Sequence, residues 1–134
     1  MAFVLDASVT LAWCFEDEAT TESDALLARL RSDTATAPSI WVFEIANALT
    51  VAQRRGRLVE AKALLFASTL RSLPIEVAPV QPMASIMAVA MTHGLSAYDA
   101  AYLELAERTG RPLAALDGRL RDAAITAGVD VLPE

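Results

Sequence analysis

The chain has 134 residues, 54% of them hydrophobic and 21% charged, which excludes a disordered tail and predicts one globular domain over residues 1–134. No apolar stretch approaches the roughly 18 to 20 residues of a membrane span, and Asp6 interrupts anything resembling a signal peptide, so a soluble cytoplasmic protein is expected, with the single Cys14 fitting a reducing compartment. The net charge of -6 argues against a nucleic-acid binder with an ordinary basic surface, an objection that weakens if several acids share a divalent cation.

Phe3, Val4 and Leu5 form a short apolar run without alternation, the pattern of a strand covered on both faces. Asp6 stops the run, and Ser8 is a good N-cap for a helix from Val9 to Phe15. Glu16-Asp17-Glu18 marks a solvated corner, after which Thr20 to Arg31 reads as an amphipathic helix with Ala25, Leu26, Leu27 and Leu30 on its buried side. Thr34 to Ala37 is a short strand that Pro38 ends. Ser39 is positioned to cap a long helix from Ile40 to about Arg55, which Gly56 closes, and a second helix from about Val59 to Ser72 folds back on it.

Ile75 to Val80 gives the next strand, and Pro82 opens a Met- and Ala-rich helix closed by Gly94. Ser96 caps a helix from Ala97 to Thr109, which Gly110 ends. Leu113 to Leu116 reads as a buried strand leading to Asp117, a last helix covers about Gly118 to Ala127, and Val129 to Leu132 completes the sheet. Five short strands separated by helices predict an α/β fold, a three-layer α/β/α domain around a central parallel sheet of about five strands.

Most of the 17 acids belong on the surface; Asp6, Asp117 and Glu44 stand out, and Asp99 is a weaker candidate. Asp6 and Asp117 each end an apolar strand just before a helix, the edge of an open parallel sheet where ligands bind. If those strands are neighbours, the two carboxylates converge. Glu44 sits in the apolar run Ile40-Trp41-Val42-Phe43-Glu44-Ile45-Ala46, where an unpaired charge is costly and calls for a partner; Asn47, three residues on, is one candidate and an arginine another. Asp99 lies in the first turn of its helix, where the helix dipole alone favours an acid. Asp122 reads as an exposed helix acid, with joining the site as the lesser alternative.

Carboxylates sharing a crevice raise one another's pKa unless a cation compensates, and an all-oxygen donor set points to Mg²⁺ or Mn²⁺ rather than Zn²⁺. The only histidine, His93, precedes Gly94 at a helix C-terminus, which leaves Ser-His or Cys-His catalysis little to work with, and no Gly-rich phosphate loop is present. Arg119 follows Asp117 closely enough to meet a phosphate, and Arg54, Arg55 and Arg57 form the densest basic patch. A solvated helix end accounts for each of these arginines equally well. Trp13 and Trp41, both near helix ends, suggest exposed apolar patches that a partner covers; a well-filled, alanine-rich core is the other explanation.

Together these residues carry a resemblance. Asp6-Ala-Ser8 after the first strand, Glu44 in the apolar third helix, Leu95-Ser-Ala-Tyr-Asp99-Ala-Ala-Tyr and Leu113-Ala-Ala-Leu-Asp117 resemble, in order and spacing, the four acidic motifs of PIN domains, and in particular the VapC toxins of bacterial VapBC toxin-antitoxin pairs. The resemblance implies a Mg²⁺- or Mn²⁺-dependent endoribonuclease that cleaves RNA through a metal-activated water. It implies Asp6, Glu44, Asp99 and Asp117 as metal-binding and catalytic residues, Ser8 in support, inhibition by a cognate VapB-type antitoxin, and a homodimer. Ala115 departs from the pattern, which often has Thr or Ser two residues before the last aspartate. Two alternatives stand beside it: a non-catalytic PIN-like module that binds RNA or protein, and a haloacid dehalogenase-like phosphatase using Asp6 as nucleophile. The second lacks the aspartate that such enzymes place two residues later, where this chain has Ser8.

Overall fold

A computed structural model of the chain describes residues 2–134. Its frame is a five-stranded, all-parallel sheet: β1 (Ala2–Leu5), β2 (Thr34–Ala37), β3 (Ile75–Val77), β4 (Leu113–Ala114) and β5 (Val131–Leu132), in the order β3-β2-β1-β4-β5. β1 is the centre, with Val4 level with Thr36 of β2 on one side and with Leu113 of β4 on the other. Phe3, Val4 and Leu5 are fully buried, as an apolar run without alternation requires in a strand covered on both faces.

Seven helices connect the strands: α1 (Ala7–Cys14), α2 (Thr21–Arg29), α3 (Ile40–Arg54), α4 (Glu60–Ser72), α5 (Met83–His93), α6 (Ala97–Thr109) and α7 (Gly118–Thr126). The chain steps from β1 to β2 to β3 in one direction across the sheet and from β3 to β4 to β5 in the other. Right-handed crossovers therefore put α1 to α4 on one face and α5 to α7 on the opposite one, and the packing pairs α1 with α3 and α6 with α5 and α7 follow that division. The three-layer α/β/α arrangement is the one predicted. The direction of winding reverses between β1 and β4, and the crevice above their carboxyl ends is the topological switch point.

α6 is the inner helix of its layer. Residues 100 to 106 are all buried, with Tyr102, Leu103 and Leu105 in the core against β1 and β4. On the other face Trp41, Ile45 and Leu49 of α3 and Leu26 and Leu30 beside α2 close the core. No helix among the described residues is long and apolar enough to cross a membrane.

Several local expectations need correcting. The first helix starts at Ala7, because Asp6 rather than Ser8 is its N-cap. Ser39 makes no capping hydrogen bond through its side chain. In α2 the capping box of Thr20 and Ser23 turns Ser23 and Leu26 inward, leaving Ala25 and Leu27 exposed. β3, β4 and β5 are shorter than predicted; the sheet ends at Ala114, and Leu116 is already outside it. The two tryptophans do not form exposed patches: Trp41 is buried and donates its indole N–H to Thr10 Oγ1 at 2.9 Å, and Trp13 donates to the Ser23 carbonyl at 2.8 Å.

Candidate active site

Asp6 follows the last residue of the central strand, so its position is fixed by a strand whose residues Phe3, Val4 and Leu5 are fully buried. Its amide donates to the Ala114 carbonyl at 3.0 Å, which ties the end of β1 to the end of β4. Its carboxylate turns back over the start of α1, where Oδ2 accepts from Ser8 Oγ at 2.5 Å and from the Ser8 amide at 3.4 Å. Ser8 Oγ also accepts from the Leu116 amide at 3.0 Å. One hydroxyl therefore holds the Asp6 carboxylate against the segment that carries Asp117.

Asp117 opens α7 and caps it, with Oδ2 accepting from the Leu120 amide at 3.0 Å. Its side of the crevice is open to solvent. Because β1 and β4 are hydrogen-bonded neighbours, the two strand-end aspartates stand on the two lips of the switch point, as their sequence positions predicted.

Glu44 comes from α3 and finds a partner other than the candidates considered. Tyr102 of α6 donates its hydroxyl to Glu44 Oε1 at 2.5 Å across the top of the sheet, and Asn47 is exposed. The ring of Tyr102 is fully buried, and a buried phenol needs an acceptor. This residue escaped the sequence reading, although the signal was there: a single hydroxyl inside the otherwise apolar stretch Ala100 to Leu103, three residues beyond Asp99. Asp99 itself stands in the first turn of α6, its amide accepted by Ser96 Oγ at 3.1 Å.

The four acids are linked in series by their charges. Burial pushes the Asp6 carboxyl up to about 6 against the pull of the Ser8 hydrogen bonds, with the charge of Glu44 adding to the rise. Glu44 is also raised, by burial and by Asp99, and Asp99 is raised by burial and by Asp117, with the Arg119 guanidinium pulling the other way. Burial, with the adjoining Glu44 and the charge of Asp6, drives the Tyr102 phenol far upward, so it remains a protonated donor. No basic side chain among the described residues forms an ion pair with any of the four.

The donor atoms are oxygens only, on partly desolvated carboxylates that raise one another, a chemistry that would suit Mg²⁺ or Mn²⁺. Among the described residues no three Asp, Glu, His or Cys side chains enclose a ready cage. A Mg²⁺ ion does not require one, because it keeps several waters and binds through one or two carboxylates together with substrate phosphate.

The basic residues divide. Arg119 is exposed and close enough to Asp99 to influence it. Arg54 and Arg55 lie ten and eleven residues beyond Glu44 at the far end of α3, about 15 Å along the helix axis at 1.5 Å per residue, and are not brought to the crevice. Arg57 is occupied by Asp17 at 2.9 Å and Glu18 at 2.8 Å and lies over the Phe15 ring. Asp122 is exposed on α7. Ala115 is buried below the crevice and offers no hydroxyl.

Comparison with known proteins decides the family. Residues 3–125 match the PIN domain family. The chain belongs to the PIN domains. Among curated PIN-type relatives, "Ribonuclease VapC12" of Mycobacterium tuberculosis is 34% identical over 119 residues, 87% of this chain and 88% of the relative. "Ribonuclease VapC3" of Pyrobaculum aerophilum is 29% identical over 126 residues, covering 91% and 94%. The PIN architecture is shared with the crystal structure of PAE2754 from Pyrobaculum aerophilum, at a TM-score of 0.77 and 25% identity over 98% of this chain and 89% of that one. It is shared too with VapBC2 from Rickettsia felis bound to a DNA fragment from their promoter, at a TM-score of 0.69 and 11% identity over 98% and 97% of the two chains. The last comparison is a likeness of fold alone.

Proposed function

We propose that this PIN domain is a metal-dependent endoribonuclease, the toxin of a type II toxin-antitoxin pair, acting in the cytoplasm as a homodimer and held in check by a cognate VapB-type antitoxin. The observation that carries the reading is the series of charge-coupled carboxylates, Asp6, Glu44, Asp99 and Asp117, around the switch point of the sheet. The names of the curated relatives, both ribonucleases, support the reaction class. Their VapC names also make a VapB-type antitoxin the partner to look for.

In this reading the four acids would hold one or two Mg²⁺ or Mn²⁺ ions, directly or through water. When bound, the metal lowers the pKa of a water and offsets the charge that develops on the scissile phosphate. The chain's own side chains set the stage: Ser8 fixes the rotamer of Asp6, Tyr102 aims the Glu44 carboxylate, and Arg119 beside Asp99 meets the phosphate. Hydrolysis adds water across one phosphodiester bond without a covalent intermediate.

The test is cleavage of RNA by the purified protein with Mg²⁺ or Mn²⁺ and with chelator. Asp6→Asn and Asp99→Asn should each abolish metal-dependent cutting, and equal cutting by both variants and wild type would sink the assignment. The phosphatase alternative is set aside by the family match. The non-catalytic alternative draws on Ala115, where a supporting hydroxyl is missing; tight RNA binding with no metal-dependent cleavage at high protein concentration is its signature.

A further inference from the structure

The turn that carries Asp117 is held by hydrogen bonds more than by packing. β4 ends at Ala114, and the next residues, Ala115 to Asp117, lead directly into α7. Ala115 is fully buried, but Leu116 is 36% exposed and Asp117 and Gly118 are exposed, so the apolar core grips only the start of the turn. Ala115 has no polar side-chain group. Its backbone alone must be paired, and a buried carbonyl past the end of a strand needs a donor from elsewhere.

Arg121 of α7 supplies that donor. Its Nη1 donates to the Ala115 carbonyl at 2.9 Å and its Nη2 to the Pro133 carbonyl at 2.6 Å, while its own amide donates to the Asp117 carbonyl at 3.0 Å. One residue therefore grips the chain on both sides of Leu116 and fastens it to the segment that follows β5. A planar guanidinium makes its two bonds in one fixed geometry, so the turn is held in orientation as well as in place. The Ala115 amide adds a bond to the Leu132 carbonyl at 3.0 Å, and the Leu116 amide adds the one to Ser8 Oγ. Arg119, two residues earlier on α7, points about 200° away round the helix and is exposed beside Asp99. The two arginines thus face different parts of the molecule.

We propose that Arg121 is a positioning residue for Asp117: its guanidinium fixes the turn from Ala115 to Asp117, so that the carboxylate is set where it can share a cation with the other acids of the crevice. The inference rests on the metal-binding reading above. Arg121 acts through the backbone, without contact to metal or RNA. Other roles for it differ in what they predict. A guanidinium felt only through its charge repels a divalent cation, so removing it would tighten binding; one that holds the turn weakens binding when it is removed. A guanidinium that only stabilises the fold changes the melting temperature and leaves the affinity of the folded protein as it was.

The experiment measures Mn²⁺ binding to the full chain by titration calorimetry, well below the melting temperature, for wild type, Arg121→Met, Asp117→Asn and the double variant. Hydrogen-bond partners of metal ligands are worth about 10- to 100-fold in metal affinity; Arg121 reaches its ligand through the backbone and belongs at the lower end, so Arg121→Met should bind about tenfold more weakly. In the Asp117→Asn background the same change should alter affinity by less than about twofold, because residues that act as a unit are not additive. Arg121→Lys keeps the charge and one donor but not the fork; its affinity should fall between the two, and it carries the cycle if the methionine variant does not fold. A folded Arg121→Met that binds Mn²⁺ as tightly as wild type or more tightly, or equal losses in both backgrounds, overturns the inference. If wild type binds no Mn²⁺, the metal-binding reading fails and takes the inference with it. If the cycle behaves as expected but wild type cuts no RNA, the nuclease reading fails and the role of Arg121 stands.

Discussion

At the scale of single residues, Asp6 carries opposing demands. Its carboxyl is buried and raised from 3.8 to about 6, so the folded protein binds its proton more tightly than the unfolded chain does. Stability linked to this group is fully present below about pH 4, falls as pH rises towards 6, and stays low above that. At about 1.4 kcal/mol per tenfold change in proton affinity, the ionised form costs folding on the order of 3 kcal/mol. Asp6→Asn should therefore melt higher than wild type at pH 7.5 in chelator, with the difference vanishing near pH 4; a variant that melts lower at both pH values contradicts this. Tyr102→Phe removes the donor that orients Glu44. Because such supporting hydrogen bonds are worth about 10- to 100-fold in metal affinity or activity, cleavage should drop by that factor with little change in circular dichroism. Asp6, Asp117 and Glu44 stood out in the sequence because a charge at the end of an apolar strand, or inside an apolar helix, is locally anomalous; Asp99, in a first turn where the helix dipole alone favours an acid, was singled out only by the resemblance. Tyr102 and the double role of Ser8 were not, since each acquires its meaning from a residue far off in the chain, Glu44 and Leu116.

At the scale of elements, the crevice depends on how α1 and α3 are fixed to each other. Thr10 Oγ1 donates to the Asp6 carbonyl at 3.1 Å and accepts from the Trp41 indole at 2.9 Å, so one fully buried hydroxyl joins the helix that follows Asp6 to the helix that carries Glu44. Thr10→Val preserves the shape but strands the indole N–H, at a cost of about 1–3 kcal/mol; chemical denaturation should register that loss, with an unchanged m-value showing that the fold persists. Elements with strong local punctuation were legible to the residue. α6 runs from its Ser96 cap to Gly110, whose φ of 65° is the left-handed turn that glycine adopts without strain. The ends of the later strands were less so, because an apolar run does not say how many of its residues find a neighbour: Leu116 is as apolar as Leu113, yet only Leu113 pairs. The first helix started early for a related reason. Asp and Ser are both good caps, and the choice fell to Asp6 through its position at the end of β1.

At the scale of the whole molecule, a net charge of -6 with four acids at one edge of the sheet predicts that a divalent ion held there, as proposed, would act as a global stabiliser. A ligand bound only to the folded state adds about 2.7 kcal/mol at a hundred times its dissociation constant. Saturating Mn²⁺ should raise the melting temperature of wild type at pH 7.5 and leave Asp6→Asn nearly unmoved; equal shifts in both would place the ion elsewhere. The order of the sheet has a second consequence, for the way the protein is made. β1 meets β2 after about thirty intervening residues, but its other neighbour, β4, lies more than a hundred residues along the chain. Domains are synthesised from the N-terminus. A nascent chain that has emerged only as far as α4 can thus hold Asp6 and Glu44 on their scaffold, with the far edge of β1 unpaired and Asp99 and Asp117 not yet delivered. Until the late strand docks, the emerging protein has half its charge cluster and an open edge prone to pair with other chains. The same docking event therefore seals the sheet and completes the crevice.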